Sequence, residues 1–128
     1  MKFATPEQAR SLFGDLFRIL LDDEEFAGRM RASNLTAHVV HSKPDLQLFL
    51  TPDELYVDEV PGPAAITIKM SCDTADNLWS GRLLMPIAVA TGRVRIRGSV
   101  SKVLEFVPIL QPAFDRYPAL AAAAGLPA

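Results

Sequence analysis

The chain has few of the residues that usually announce a chemistry. It holds one cysteine, Cys72, so no disulfide can form within it. A lone cysteine fits a reducing compartment. Because Cys72 follows an alternating strand, it reads as a small buried side chain rather than a nucleophile. There are two histidines, His38 and His41. Three residues apart on a strand they face opposite ways, so the H-x-x-H they form does not hold a shared metal. There is no C-x-x-C, no Walker or G-x-G-x-x-G loop and no G-x-S-x-G turn. Surplus charge is also missing: the net charge is −2 over 128 residues. A nucleic-acid domain is basic overall or carries a dense basic face. No apolar run approaches the roughly 20 residues that cross a bilayer. The opening "MKFATPEQAR" has no apolar signal-peptide core. These absences lead to the expectation of a cytoplasmic protein that is not an enzyme, with no catalytic residue, no metal, no cofactor and no nucleic-acid partner.

The chain is instead rich in apolar residues. They make up 49 % of it, with a mean hydropathy of +0.17. That is high for a small domain, which has much surface per unit volume. The excess must go into a core, a partner, a membrane surface or a ligand cavity.

"TPEQARSLFGDLFRILL" has the signals of a helix. Thr5 and Gln8 have capping-box spacing and Pro6 suits a first turn. Ala9, Leu12, Phe13, Leu16, Phe17 and Leu20 form one apolar stripe. "DDEEFAGRMRAS" starts a second helix, capped by Asp22 or Asp23, with Phe26 and Met30 buried. Its acidic run is read as first-turn chemistry, not as a metal site. Short alternating segments follow, separated by the turn-like "SKPD" and "TPDE". "LTAHVVHS" leaves its inner face ambiguous, whereas "DLQLFL" places Leu46, Leu48 and Leu50 together. "ELYVDEV" does the same for Leu55 and Val57, and "AAITIKMSC" for Ile66, Ile68 and Met70. "DTADNLWSG" reads as a short helix capped by Asp73 or Thr74 and closed by Gly81. "PIAVATG" reads as another, stopped by Gly92. "SVSKVLEFVPIL" is expected to be a helix capped by Ser99 or Ser101 and ended or kinked at Pro108. "QPAFDRYPAL" adds a turn or two. A main unit over residues 1–118 and a frayed alanine-rich tail over 119–128 are expected.

"TGRVRIRGSV", which links "PIAVATG" to "SVSKVLEFVPIL", sets Arg93, Arg95 and Arg97 on one face and Val94 and Ile96 on the other. A sheet with one face covered and the other in water produces this alternation without any phosphate. Base stacking would need aromatics interleaved with the arginines, and the stretch has none. The outer basic row, with Lys69, suits transient contact with anionic membrane or an acidic partner.

Two neighbouring segments lack the polar face of an ordinary surface helix. "LLMPIAVA" (83–90) is apolar all round, and "VLEFVPIL" (103–110) carries only Glu105. Each is either sandwiched in the core or lines a cavity for an apolar ligand. Each methylene moved from water into such a site contributes roughly 0.8 kcal/mol, so a long chain can bind without an ionic contact.

The ordered pieces "ITIKM", "LWSGRL", "PIAVATG" and "GRVRIRG", followed by "VLEFV", resemble the sterol carrier protein type 2 family. That family has a T-I-T-I strand, a short helix ending in glycine and a basic residue, and a Pro-containing apolar segment. A G-K-L-K-I-K-G strand and a leucine-rich helix follow. The match covers about the last half of residues 1–110; the first half matches only in pattern. Unlike some members, the chain ends in "GLPA" rather than an S-K-L-type peroxisomal address.

The resemblance implies an α+β fold: a five-stranded, mostly antiparallel sheet covered on one face by helices, with an apolar tunnel between. It implies a fatty acid, acyl-CoA, sterol or phospholipid as ligand, and no catalytic residues. Positions facing such a tunnel are nominated by face: Leu48, Leu50, Ile66, Ile68, Met70, Leu78, Trp79, Leu83, Met85, Ile87, Val89, Val94, Ile96, Val103, Leu104 and Val107. Each is open to a second reading as plain core. The alternative function is an accessory domain that buries its apolar helices against itself or a partner. Family members that are domains of larger enzymes, or that serve lipophilic-cofactor synthesis, fit that alternative.

Overall fold

Thr5 starts the first helix, its side chain accepting from the Gln8 N–H at 3.1 Å, and Pro6 opens α1 (Pro6–Asp22). All six apolar-stripe residues of α1 are buried. Asp23 then accepts from the N–H groups of Glu25 and Phe26 and caps α2 (Glu24–Ala32). The structure is a computed structural model that describes Phe3 and residues 5–126.

Five strands follow the expected alternation: β1 (Ala37–Ser42), β2 (Leu46–Leu50), β3 (Leu55–Val57), β4 (Ile66–Ser71) and β5 (Arg95–Gly98). Their order across the sheet is β3-β2-β1-β4-β5. Three of the pairings are antiparallel, and β1 runs parallel to β4. The fold is therefore the expected α+β architecture, with a mixed sheet. The registers align Val57, Leu48, Val39, Ile68 and Ile96 in one apolar row across all five strands. This row settles the ambiguous face of β1: Ala37, Val39 and His41 are buried, while His38 and Val40 are half-buried on the other face. Gly98 is required where it stands. Its φ is +142°, and a Cβ there would lie 2.5 Å from the Ala65 carbonyl oxygen.

Between β4 and β5 lie α3 (Cys72–Trp79) and α4 (Met85–Ala90). Ser71, not Asp73 or Thr74, caps α3, accepting from the Thr74 N–H at 3.0 Å. The helix begins directly at the strand end, two residues earlier than a cap at Asp73 would place it. After β5 come α5 (Val100–Phe106), a 3₁₀ turn (Val107–Leu110) and α6 (Gln111–Ala123). Pro108 falls in the 3₁₀ turn, where a helix was expected to end or kink.

The last helix departs most from expectation. It runs 13 residues rather than a turn or two, and Pro118 lies inside it. The alanines expected to fray continue the helix to Ala123, and Leu126 is buried beyond it. Pro127 and Ala128 lie outside the described residues. Helix α6 is held because Ala113 and Tyr117 are fully buried and Phe114 packs on Trp79 with ring centroids 5.3 Å apart. Burial of that size outweighs the cost of an internal proline.

Candidate functional site

Helices α1, α3, α4 and α5 meet the inner face of the sheet around an apolar cavity. Val39, Ile68 and Met70 form its floor, and Phe17 and Trp79 stand at its sides. Met85 of α4, Phe106 of α5 and Leu110 of the 3₁₀ turn close it. The cavity volume is only about 10 Å³. That is about one water, whereas sites for small ligands run to roughly 300–1,000 Å³.

Its cover is thinly anchored. In α4 only Ala88 is buried, and in α5 only Phe106. Neither helix has a side-chain N-cap bond, and the Ser99 hydroxyl pairs with Ser101 instead. Phe106 packs edge-on to Phe26, and the Lys102 ammonium donates to the Ser33 carbonyl. Segments with few buried contacts are the ones that open at low cost.

The sixteen nominated positions divide into three groups. Leu48, Leu50, Ile66, Ile68, Met70, Leu78, Trp79, Leu83 and Val94 are buried. Met85, Ile96 and Val103 are half-buried against the core, and Val107 is half-buried. Ile87, Val89 and Leu104 are exposed, and for these the reading by face is corrected. A helix that is apolar all round does not show in sequence which side turns inward. Here Met85 and Ala88 turn in on α4, and Val103 and Phe106 on α5. Leu84 and Val100 are exposed as well, and exposure across the five runs from 44 % at Val89 to 75 % at Val100.

Of the sixteen, Ile68, Met70, Trp79 and Met85 line the cavity. Four lining residues were not nominated: Phe17, Val39, Phe106 and Leu110. The stripe of α1 already contained Phe17, and only the uncertain parity of β1 hid Val39.

Polar groups near the cavity are few. The ring nitrogens of His41 and the Trp79 Nε1 are buried without a hydrogen-bond partner among the described residues. His41 stacks on Phe13 at 4.8 Å, and burial lowers its pKa to about 4. The Leu46 backbone acts in the opposite direction. Burial, reinforced by Asp73 and Asp45, pushes the Cys72 thiol up to about 12. A thiol held protonated in this way is a poor nucleophile.

One polar cluster was not foreseen. Asp76 is 1 % exposed; it accepts from the Tyr117 hydroxyl at 2.7 Å and from Arg82 Nη2 at 2.8 Å. Burial and Asp76 together raise the Tyr117 pKa. The three side chains join α3, the loop after it and α6. The available sign was an aspartate on the apolar side of α3, between Ala75 and Trp79. No group of three or more metal-ligating side chains occurs among the described residues. No helix among them is long and apolar enough to cross a membrane.

On the outer face of the sheet Lys69 stands directly opposite Arg95, and Thr67 opposite Arg97. The aromatic residues of this face, His38, Phe49 and Tyr56, cluster toward β3. Phe49 is 2 % exposed, so it presents no free stacking surface.

This combination of order, sheet and covered cavity decides the architecture. The fold is that of sterol carrier protein 2. The sterol carrier protein 2 of Yarrowia lipolytica, in its apo form, superimposes with a TM-score of 0.66 at 20 % identity, over 91 % of this chain and 100 % of that one. UbiJ-SCP2, a ubiquinone synthesis protein, matches with a TM-score of 0.57 at 19 % identity, over 84 % of this chain and 96 % of that one. The Aedes aegypti sterol carrier protein 2 in complex with palmitate matches at 0.50 and 15 % identity, over 67 % of this chain and 87 % of that one. No protein-family model and no curated protein matches the sequence. The sterol carrier fold is thus shared at identities of 20 % or less.

Proposed function

We propose that this protein binds an apolar lipid between the sheet and the α4–α5 cover, without covalent chemistry, and carries or presents it. One observation carries the reading: a cavity walled only by apolar side chains lies under two short helices that are barely anchored. The closed volume is too small for a lipid chain. Binding therefore requires α4 and α5 to move outward, and their few buried contacts make that inexpensive. Each methylene then buried contributes roughly 0.8 kcal/mol toward the opening. The palmitate held by the Aedes aegypti protein supports a single acyl chain as the ligand class.

Native mass spectrometry of the protein as purified, followed by solvent extraction, tests this. A bound lipid at fixed stoichiometry is the expected result. An apo mass, together with failure to take up any acyl or sterol probe, would end the reading.

A second reading rests on the exposed apolar side chains of α4 and α5. Leu84, Ile87, Val89, Val100 and Leu104 suit burial against a second copy or a lipid-metabolising partner. The likeness to the ubiquinone synthesis protein supports such an accessory role. Light scattering separates the two readings, since a dimer that takes up no lipid favours the second.

A further inference from the structure

The arginines of this chain fall into two populations. Arg10, Arg18, Arg29 and Arg31, in the first two helices, each pair with a carboxylate. Arg10 meets Asp58 at 2.7 Å and Arg31 meets Asp53 at 2.6 Å. Beyond the helices Arg82 pairs with Asp76. Arg93, Arg95, Arg97 and Arg116, like Lys69, have no carboxylate within ion-pair distance among the described residues. Of these, Lys69, Arg93 and Arg95 converge on one open cleft, of about 300 Å³, where β1 and β4 end and the chain enters β5. Asp45 and Asp73 act on nearby Cys72, but neither lines this cleft.

Two features make the cleft more than a basic surface. Lys69 and Arg95 are direct cross-strand partners, and like charges placed opposite each other destabilise a sheet unless an anion lies between them. The cleft also shares a wall with the apolar cavity. Met70 lines both, with His41 beside it on the cleft side. His41 is 2 % exposed, and neither of its ring nitrogens has a hydrogen-bond partner among the described residues. Methionine is unbranched and adaptable, so Met70 is a wall that can move.

We propose that the Lys69–Arg93–Arg95 cleft is the headgroup site for an anionic single-chain amphiphile whose chain passes Met70 into the cavity. The inference rests on the lipid-binding reading above and sharpens it. The ligand carries a carboxylate or phosphate, and its head remains at the β5 edge while its tail lies under α4 and α5. The guanidinium groups supply charge-assisted hydrogen bonds to the anion. The buried imidazole N–H gains an acceptor.

Equilibrium dialysis of two labelled ligands with the same chain, palmitate and 1-hexadecanol, tests this without any membrane present. The wild type is expected to prefer palmitate by about tenfold at low salt, with the preference fading as salt rises. The variant R93Q/R95Q alters only exposed side chains. It is expected to keep its 1-hexadecanol affinity and its thermal midpoint while losing most of the preference. Equal binding of acid and alcohol by the wild type would overturn the headgroup site and leave lipid binding standing. A preference unchanged in R93Q/R95Q would also overturn it. So would a variant that keeps the preference but no longer binds anionic phosphatidylglycerol vesicles, since the cleft would then serve a membrane. Failure of both ligands to bind would remove the lipid-binding reading, and the headgroup site with it.

Discussion

Helix α1 and the pair α4–α5 lie against the same sheet face and handle their apolar residues in opposite ways. In α1 the stripe from Ala9 to Leu20 is buried, and its outer side carries Glu7, Arg10, Asp15 and Arg18. In α4 and α5 the inner contact is reduced to Met85, Ala88, Val103 and Phe106, while Leu84 just before α4 and Ile87, Val89, Val100 and Leu104 are exposed. Fully burying a leucine or phenylalanine contributes about 1.5–3 kcal/mol, so α1 spends its apolar area on stability. The other pair leaves most of that stabilisation unused. Apolar area kept out of the core is available to something that arrives later, a lipid chain or a partner surface. One side of the molecule is thus a foundation and the other a cover.

The comparison breaks most visibly on the foundation side. Phe13 is fully buried and stacks with both His41 and Tyr117. Phe13→Ala should cost about 3–5 kcal/mol, read as a lower midpoint in urea. A loss below about 1 kcal/mol would mean that α1 is not the anchor described here.

Acid should weaken the same side. The His41 ring stays neutral in the folded protein down to about pH 4, whereas its ordinary value is 6.5. The unfolded chain therefore binds more protons between those values. Stability is complete above pH 6.5 and falls by up to about 3 kcal/mol as the pH drops to 4. His41→Leu should flatten that slope in denaturation measured across this window, and an unchanged slope would place the acid sensitivity elsewhere.

The smallest effect on stability belongs to the cover. The double variant Ile87→Ser, Leu104→Ser should shift stability by no more than about 0.5 kcal/mol, because both side chains are already in water. Its retention on hydrophobic-interaction resin should drop nonetheless. A large loss of stability would show that the two residues are buried in solution.

Much of this arrangement was legible before any coordinates. The α1 stripe, the alternation of β2 and β4 and the switch from Val94 and Ile96 to Arg95 and Arg97 each give one element and one face, because their polar and apolar residues separate cleanly. The parallel pairing of β1 with β4 was not legible: period-two alternation reports which face a residue takes and says nothing of which strand lies beside it. The inward sides of α4 and α5 were hidden for the opposite reason. Helix α4 is apolar all round, so periodicity has no polar face from which to take its bearing, and the seven residues of α5, with Ser101, Lys102 and Glu105 among them, are too few to fix one. Helix α6 was underestimated because what holds it is distant in sequence. Tyr117, Ala113 and Phe114 hold it through contacts with Asp76 and Trp79, residues more than thirty positions earlier. The Asp76–Tyr117–Arg82 cluster depends on the same long-range packing, and a lone aspartate in a short helix gave little notice of it.

Trp79, the one tryptophan of the chain, stands in the cavity wall. It can therefore report directly on whether a lipid chain enters between sheet and cover. The measurement is Trp79 emission during titration with stearate brominated at mid-chain, beside the same titration with plain stearate. Bromine quenches an indole only at near contact. Saturable quenching by the brominated acid alone is the predicted result. Stearate that binds at a fixed stoichiometry while the brominated acid leaves the emission unchanged would place the chain outside the cavity and contradict the account.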